Sequence, residues 1–398
     1  MKVRTAARSA CLAVAIAGAA VVALPQMASA ADNFPAHYNA PYLELSSSSA
    51  TDMASDLAAS GTKFYTLAFL VPTSGCTQVW EADSGQAIGA FKSQVQTLKN
   101  AGGDVAVSFG GAQGLNNGPT EIAETCTNVT SLQAAYANVV NTYGITHLDF
   151  DIEGDAMGNA AANARRNQAL AALQKADPSV VVDYTLAVDP SGLPDAQLQL
   201  LKDAKAAGVN VNMVNLMTMD YYNGGNVLAQ AKTSATSTHG QIASIYTGLT
   251  SAQLWNKIGL TVIAGVNDDG ADFSQSDATN LETFAASNGV QKLSFWELHG
   301  YDKATGYAYS KIFNKITGGT STTPPTTTAG SITGIGGKCV DIAAASSADG
   351  TAVQLYTCNG TNAQTWTVGS DGTIKALGKC LDVTAASTAN GAQIQLYT

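Results

Sequence analysis

Residues 31–317 alternate short apolar runs with longer segments of helical periodicity, and this alternation constrains the fold more than any other feature of the chain. The runs are rich in β-branched and aromatic residues and are bounded by turn residues, which is typical of buried strands. Eight strands are predicted, at 38–45, 63–71, 104–110, 145–153, 180–188, 212–219, 259–266 and 292–298. Helices are predicted between them, the clearest at 84–100, 159–174, 195–206 and 277–287. Eight such units predict an α/β fold, a (β/α)₈ barrel. The alternative, a doubly wound open sheet, usually has fewer strands and a glycine-rich phosphate loop, and the sequence shows neither.

Residues 1–30 have the layout of a secretory signal peptide. Three basic residues precede an apolar run at 10–24, and the triplet Ala28-Ser29-Ala30 marks a cleavage site. A membrane span is not expected, because Pro25 interrupts the run short of about 20 residues. Removing this segment takes three of the 20 Lys and Arg and none of the 30 Asp and Glu, so the net charge becomes −13. We therefore expect a secreted, extracellular monomer whose partners are neither nucleic acid nor membrane.

Residues 318–330 contain only Gly, Ser, Thr, Pro and Ala and are predicted to be a linker. Beyond it the chain repeats itself: KCVD at 338–341 recurs as KCLD at 379–382, and QLYT at 354–357 recurs at 395–398. Cys358 follows the first QLYT and no residue follows the second, so we expect the partner of Cys380 to lie beyond this sequence. Cleavage of the predicted signal peptide removes Cys11 and leaves five of the six cysteines, and a partner beyond this sequence would explain that odd number in an oxidising compartment. The predicted disulfides are Cys339–Cys358 and Cys76–Cys126.

The fourth predicted strand carries three acids in alternation with large apolar residues. Asp149, Asp151 and Glu153 therefore share one face, and the apolar residues share the other. A calcium loop is the rival interpretation, but its twelfth position would have to be a bidentate acid and is Ala160. Crowded carboxylates raise one another's pKa and hold a proton at neutral pH. Glu153, the outermost of the three, is the candidate general acid.

Barrel active sites lie at the carboxyl ends of the strands, and those ends are rich in acids and aromatic residues here. The residues predicted to lie there are Tyr42, Glu44, 108–111, Asp151, Glu153, Asp189, 217–222, 267–269, Trp296 and Glu297. A sugar-cleaving cleft needs carboxylates for proton transfer and flat rings to pack on pyranose faces. This chemistry requires neither a metal nor a cofactor.

The stretch 145–154 resembles the signature of glycoside hydrolase family 18, the chitinases, whose pattern is Asp-Gly-x-Asp-x-Asp-x-Glu at the end of barrel strand four. Asp149, Asp151 and Glu153 match its last three acids. Ser-Phe-Gly-Gly at 108–111 is similar to the family's Ser-x-Gly-Gly, and Met-Thr-Met-Asp at 217–220 to its Met-x-Tyr-Asp. The Ala, Gly, Ser and Thr bias is typical of secreted actinobacterial hydrolases.

The resemblance implies a retaining, substrate-assisted mechanism, in which the acetamido oxygen of the substrate attacks the sugar and forms an oxazolinium ion. Glu153 would be the acid and later the base, Asp151 would turn between Asp149 and Glu153 and orient the acetamido group, and Asp149 would share its proton. Asp220 would hold the acetamido group. The expected substrate-binding residues are Tyr42, Met217, Tyr221, Tyr222 and Trp296.

The sequence departs from the family pattern at two places. Thr146 and His147 stand where the first Asp and the Gly are usual, and His147 is expected to pack among the helices as a core residue. Met219 replaces a Tyr whose hydroxyl steadies the acetamido oxygen. Tyr221 or Tyr222 is expected to supply that phenol, and for each a packing role is equally open.

The C-terminal repeat contains Gln-Thr-Trp at 364–366 and resembles the Gln-x-Trp repeat of ricin-type β-trefoil lectins, a carbohydrate-binding module of family 13. Three repeats make that fold and about one and a half are present, so residues 331–398 are predicted to be an incomplete, incompletely folded all-β module. Asp341, Gln364 and Asp382 are the expected sugar-binding residues, with Gln364 open to a core role.

The sequence therefore predicts an endo-acting chitinase with a lectin module, bound to chitin or other N-acetylglucosamine-containing glycans. Two alternatives stay open: an endo-β-N-acetylglucosaminidase acting on N-glycans, and a non-catalytic chitin-binding lectin. Aromatic residues discriminate in part, since a chitin site needs a row of exposed rings. The candidate rings are Tyr42, Trp80, Tyr221, Tyr222, Trp255 and Trp296.

Overall fold

The computed structural model describes residues 32–317, 330–368 and 373–398. The predicted signal peptide and all of the predicted linker except Gly330 lie outside these residues. Within the described ranges, no helix combines the length and the apolar character that a membrane crossing needs.

The first described range forms a parallel sheet wrapped by helices. Its strands are β1 (Tyr38–Asn39 and Tyr42–Glu44), β2 (Phe64–Ser74), β3 (Asp104–Gly110), β4 (His147–Asp151), β5 (Val181–Ala187), β6 (Val211–Met217), β7 (Ile258–Ile263) and β8 (Lys292–Trp296). Its longer helices are α1 (Ser49–Ser60), α2 (Lys92–Asn100), α3 (Val129–Tyr143), α4 (Ala160–Ala176), α5 (Asp195–Ala206), α6 (Val227–Ile245), α7 (Gln275–Asn288) and α8 (Ala308–Thr317). Each strand is thus followed by a helix, as predicted.

The sheet closes because β1 is divided into two pieces. Tyr38 in the first piece pairs with Lys292 of β8, and Tyr42 in the second pairs with Thr66 of β2. Pro41 stands between the pieces and has no N–H to donate, so the strand changes partner where a ladder hydrogen bond is missing anyway. Each of the eight strands therefore has two parallel neighbours, and the predicted (β/α)₈ barrel is confirmed. A further strand of the same sheet, Thr77–Trp80, pairs antiparallel with β2.

The two faces of the strands bury different chemistry. Phe109 and Phe150 point to the helices, where their rings stack at 5.1 Å and Tyr136 of α3 packs edge-on against both. The barrel interior is polar and is linked by hydrogen bonds between strands. Its buried polar side chains include Thr66, Ser108, Asp149, Asp183, Thr185, Asn215, Thr261, Lys292 and Ser294. Such groups are stable inside a protein only when they are hydrogen-bonded or paired, so the polar side chains of the barrel interior form a hydrogen-bonded network.

Several strands end one to three residues earlier than predicted, and two of these endings shape the rim of the barrel. β4 ends at Asp151, because Glu153 is the N-cap residue of the short helix Gly154–Gly158. β6 ends at Met217, and Asp220 adopts a left-handed φ of 49° three residues later. Both early endings move acidic side chains out of the strand ladder and onto the rim of the barrel.

The C-terminal residues form an antiparallel sheet. Its strands are β9 (Lys338–Ile342), β10 (Thr351–Thr357), β11 (Thr367–Val368), β12 (Ile374–Ala376), β13 (Lys379–Val383) and β14 (Ile394–Tyr397). The sequence repeat appears as two equivalent hairpins, since Asp341 pairs with Gln354 in one and Asp382 with Gln395 in the other. The fully buried core is small and consists of Ile342, Ala363, Trp366, Ala376 and Leu396. This arrangement agrees with a partial β-trefoil.

Both predicted disulfides are present. Cys76 joins Cys126 with a Cα–Cα distance of 4.6 Å, and Cys339 joins Cys358 with a Cα–Cα distance of 5.0 Å. Cys380 is a free thiol within the described residues.

Candidate active site

A cavity of about 290 Å³ opens at the carboxyl ends of the barrel strands. Six of the predicted site residues line it: Tyr42, Asp151, Glu153, Met217, Asp220 and Trp296. Glu44, Met219 and Asp268, which were predicted at the strand ends, line it as well. Further lining residues were not predicted: Phe69, Glu81, Ala112, Gln113, Thr185, Thr261 and Ile263. The cavity thus combines carboxylates with aromatic and thioether side chains, as the strand ends predicted.

Asp149 lies one layer below the cavity and is held by three hydroxyl groups. Its Oδ2 accepts from Ser108 Oγ at 2.7 Å and from the Tyr42 hydroxyl at 3.1 Å, and its Oδ1 accepts from Thr185 Oγ1 at 2.7 Å. Burial raises the pKa of Asp149, while Lys292 and the hydroxyl donors act in the opposite direction. Both oxygens of Asp149 thus accept from neutral hydroxyl donors, which favours the ionised form of this carboxyl against the effect of burial.

Asp151 and Glu153 form a coupled pair. Asp151 is 3 % exposed, and burial, followed by the nearby charges of Glu153 and Asp149, raises its pKa well above its usual range. Burial also raises the pKa of Glu153, whereas its hydrogen bond with Asp151 lowers it. Two adjacent carboxyls in such surroundings resist ionising together, so the pair keeps a shared proton to a higher pH than an isolated carboxyl would.

The two glycines that end β3 let the backbone approach the catalytic strand. Gly110 has a φ of 107°, and a Cβ there would lie 2.0 Å from the carbonyl oxygen of Asp151. The Gly111 N–H donates to that same oxygen at 3.0 Å, and a Cβ on Gly111 would lie 2.7 Å from the Phe69 ring. Only glycine fits both places, which explains the Gly-Gly pair in the sequence.

Three rings form the apolar floor and wall of the cavity. Trp296 stacks on Phe69 with a centroid distance of 5.7 Å and an interplanar angle of 11°. Tyr42 lies 6.0 Å from each of them. Phe69 was missed because β2 is buried along most of its length, so its sequence has no alternation to mark the inward positions.

Asp220 joins the loops that follow β6 and β7. Its Oδ1 accepts from the backbone N–H groups of Asp268 at 2.7 Å and Asp269 at 3.3 Å, and its own N–H donates to Asn267 Oδ1 at 3.1 Å. Burial raises the pKa of Asp220, and these backbone donors oppose the rise. The hydrogen bonds fix the carboxyl at the rim of the cavity.

Neither tyrosine that follows Asp220 lines the cavity. The Tyr221 hydroxyl lies 2.9 Å from Ser234 Oγ of α6 and is buried there. Tyr222 is 72 % exposed and borders a separate surface depression with Asn226 and Asp269. The expectation that one of them supplies a phenol to the cavity is wrong in this conformation, because the left-handed residues Asp220 and Tyr222 turn the chain away from the barrel axis.

Two further predicted rings are core residues, since Trp80 is fully buried and Trp255 is 9 % exposed. The expected position of His147 is also wrong. It shares the parity of Asp149 and lies at the amino-terminal end of the barrel interior, 3.3 Å from Asp32 Oδ2 and 3.7 Å from Asp183 Oδ2. It is therefore remote from the cavity.

The predicted lectin residues are engaged with one another. Asp341 is buried and accepts from Gln354 Nε2 at 2.9 Å and Gln364 Nε2 at 3.0 Å. Gln364 is also buried and accepts from the Asn359 N–H at 2.8 Å. It is a core residue here, not one that faces a sugar. Asp382 accepts from Gln395 Nε2 at 2.8 Å and stays partly exposed.

A closed (β/α)₈ barrel whose fourth strand delivers a coupled carboxyl pair to an aromatic cavity defines a glycoside hydrolase of the TIM-barrel class. The solved structure of active domain 2 of the Pyrococcus furiosus chitinase, in a catalytic-site mutant form, is 30 % identical to this chain, with a TM-score of 0.64. The alignment covers 72 % of this chain and 97 % of that domain. The chain belongs to the chitinases of glycoside hydrolase family 18.

Other similar proteins agree. The chain is 33 % identical over 317 residues to a probable bifunctional chitinase/lysozyme of Escherichia coli K12, covering 71 % of this chain and 35 % of that protein. It is 32 % identical over 280 residues to Endochitinase 11 of Metarhizium anisopliae, covering 67 % of this chain and 52 % of that protein. The chain thus spans about half or less of these two relatives. Residues 328–398 match the family model of the ricin-type beta-trefoil lectin domain.

Proposed function

We propose that the barrel is an endo-acting chitinase that hydrolyses β-1,4 linkages between N-acetylglucosamine units with retention of configuration. The coupled Asp151–Glu153 pair at the floor of the cavity carries this proposal, because it supplies a carboxylic acid that keeps its proton at neutral pH. A mutant form of the related Pyrococcus furiosus domain is described in complex with chito-oligosaccharides, which supports the same substrate class.

The proposed first step uses the substrate as its own nucleophile. A sugar packed on Trp296 places its glycosidic oxygen at Glu153, which transfers a proton to it as the bond to the anomeric carbon breaks. The acetamido oxygen attacks that carbon and closes an oxazolinium ring. Asp151 accepts a hydrogen bond from the acetamido N–H, and its negative charge stabilises the positive ring.

The second step reverses the role of Glu153. The carboxylate left by the first step removes a proton from water, which attacks the anomeric carbon and opens the ring. Asp220, fixed by three hydrogen bonds to the loop after β7, is placed to hold the acetamido group through both steps. Asp149 stays ionised below, and its negative charge helps to raise the pKa of Asp151.

We also propose that the enzyme works outside the cell and that its lectin module holds it on glycan. The Cys76–Cys126 and Cys339–Cys358 disulfides support an oxidising compartment. Asp382, the partly exposed carboxyl of the second hairpin, is the better placed sugar ligand of the module, because Asp341 is engaged by two amide groups.

The test compares the parent chain with Glu153→Gln on chitin oligomers and on a high-mannose glycoprotein, with products identified by mass. Glu282→Gln on α7 is the matched control, since it makes the same chemical change on the outer face of the barrel. Release of short N-acetylglucosamine oligomers should fall by about 10²- to 10⁴-fold in Glu153→Gln and stay unchanged in Glu282→Gln. Equal activity of Glu153→Gln and parent would contradict the proposal. Glycan release without oligomer cleavage would assign the barrel to N-glycans instead.

A further inference from the structure

A fully buried lysine lies inside the barrel below the candidate active site. Lys292 begins β8 and is 2 % exposed. Its Nζ donates to Thr66 Oγ1 at 2.9 Å and lies 5.1 Å from the centre of the Tyr42 ring. A buried ammonium is stable only where nearby groups compensate its positive charge, so the groups around Lys292 identify its electrostatic partners.

Carboxylates of two strands face this ammonium. Burial lowers the pKa of Lys292, and the charges of Asp149 and Asp151 on β4 and Asp183 on β5 oppose that effect. Asp183 has a second cationic neighbour in His147 on its other side. Tyr42 links Asp149 to the lysine. The face of its ring is turned to the ammonium, and its hydroxyl donates to Asp149 Oδ2 at 3.1 Å.

We propose that Lys292 is the fixed counter-charge of Asp149, a positioning residue that keeps Asp149 ionised and thereby confines the shared proton to Asp151 and Glu153. The inference rests on the proposed function for its catalytic meaning. The role of Lys292 as a positive charge near Asp149 rests on geometry. Lys292 is buried inside the barrel and lies against Tyr42, whose hydroxyl donates to Asp149.

This arrangement accounts for Thr146. The family signature has an acid at that position, so it contains four acids, whereas this chain has only Asp149, Asp151 and Glu153. Here the Thr146 hydroxyl is buried without a hydrogen-bond partner, and the compensation for Asp149 comes from the opposite wall of the barrel. A cation favours the ionised form of Asp149, whereas a further carboxylate at position 146 would disfavour it.

Replacing the lysine by a neutral side chain of similar length should raise the pKa of the carboxyls above it. The ammonium lies 5.1 Å from the centre of the Tyr42 ring, and the Tyr42 hydroxyl lies 3.1 Å from Asp149 Oδ2. At an effective dielectric constant of about 20, a unit charge separated by such a path is worth on the order of one pH unit. Lys292→Met should therefore move the acid limb of the kcat/KM profile upward by about one pH unit. Lys292→Arg keeps the charge and is the matched control, for which the limb should stay where it is in the parent.

A second measurement does not depend on activity. In protein labelled with ¹³C-aspartate, the Asp149 carboxyl signal, assigned by its loss in Asp149→Asn, should titrate about one pH unit higher in Lys292→Met than in the parent. An unmoved signal in Lys292→Met would overturn the proposal, and so would a shift of equal size in Lys292→Arg. If the Met variant fails to fold by circular dichroism, Lys292→Gln replaces it, because an amide can still bond Thr66. A parent without activity on chitin oligomers would refute the proposed function, while the titration would still decide the role of Lys292.

Discussion

His147 should make the stability of the barrel depend on pH above neutrality. Its imidazole is buried between Asp32 and Asp183. Burial lowers its pKa, but the two carboxylates outweigh burial and raise it from 6.5 to about 9. The folded state therefore binds the proton more tightly than the unfolded state. The stabilisation is fully present below pH 6.5 and is lost as the pH rises through about 9.

The size of the effect follows from the same geometry. If the whole pKa shift, from 6.5 in the unfolded state to about 9 in the folded state, is converted into stability, it contributes about 3 kcal/mol to the free energy of unfolding. The 3.7 Å contact between Nδ1 and Asp183 is too long for a hydrogen bond, and the side chain of Asp32 is 43 % exposed. We therefore expect about half of that value, on the order of 1.5 kcal/mol, to be lost between pH 6 and pH 9.5.

The assay is urea unfolding of the full chain, followed by tryptophan fluorescence, at intervals from pH 5.5 to 9.5. The parent should lose stability over this range relative to His147→Gln, which has no group to titrate at this site. Asp32→Asn, which removes one carboxylate, should show an intermediate dependence. Parallel curves for the parent and His147→Gln would refute the reasoning, because they would mean that the buried imidazole binds no extra proton in the folded state.

Two further predictions concern stability. Gly110→Ala should cost at least about 3 kcal/mol, because its Cβ meets the Asp151 carbonyl oxygen; Gly102→Ala has a similar positive φ but open space, and should cost only about 1 kcal/mol in the same urea experiment. Arg166→Met should cost about 3–5 kcal/mol by leaving the fully buried Glu121 carboxylate without its cation. Adding Glu121→Gln to Arg166→Met should restore part of that loss, and a double variant less stable than the single one would show that the ion pair is not the cause.

Much of the barrel could be predicted because its strands and its catalytic strand carry local signals. All eight strand positions agree with the structure to within a few residues. The alternation of Asp149, Asp151 and Glu153 pointed to the cavity at the strand ends, which Asp151 and Glu153 line. Helices α1, α3, α6 and α8 were not predicted individually. In α1 and α6, Ser, Thr and Ala fill much of the buried face and leave a weak apolar periodicity.

The predictions that failed concern residues whose positions depend on turns and on contacts between distant parts of the chain. Tyr221 was expected at the cavity because it falls on the same alternate positions as Met217 and Met219. Side chains alternate between two faces only within a strand, and β6 ends at Met217. Lys292 was invisible as a site residue, since a lysine at the start of a strand usually faces solvent. Gln364 was open to two roles, and only the hydrogen bonds to Asp341 and Asn359 favour the core.

The divided first strand has a consequence for how the protein is made. Ser294 Oγ donates to the carbonyl oxygen of Ala40, and these residues are 254 positions apart in the chain. A growing chain that has not yet reached β8 has an open sheet with two free edges, and its interior carboxylates lack the ammonium that faces them in the finished molecule. Joining the first strand to the last is therefore a late step that completes the hydrogen bonding and the charge balance together. Contacts of such long sequence separation favour slow, cooperative folding.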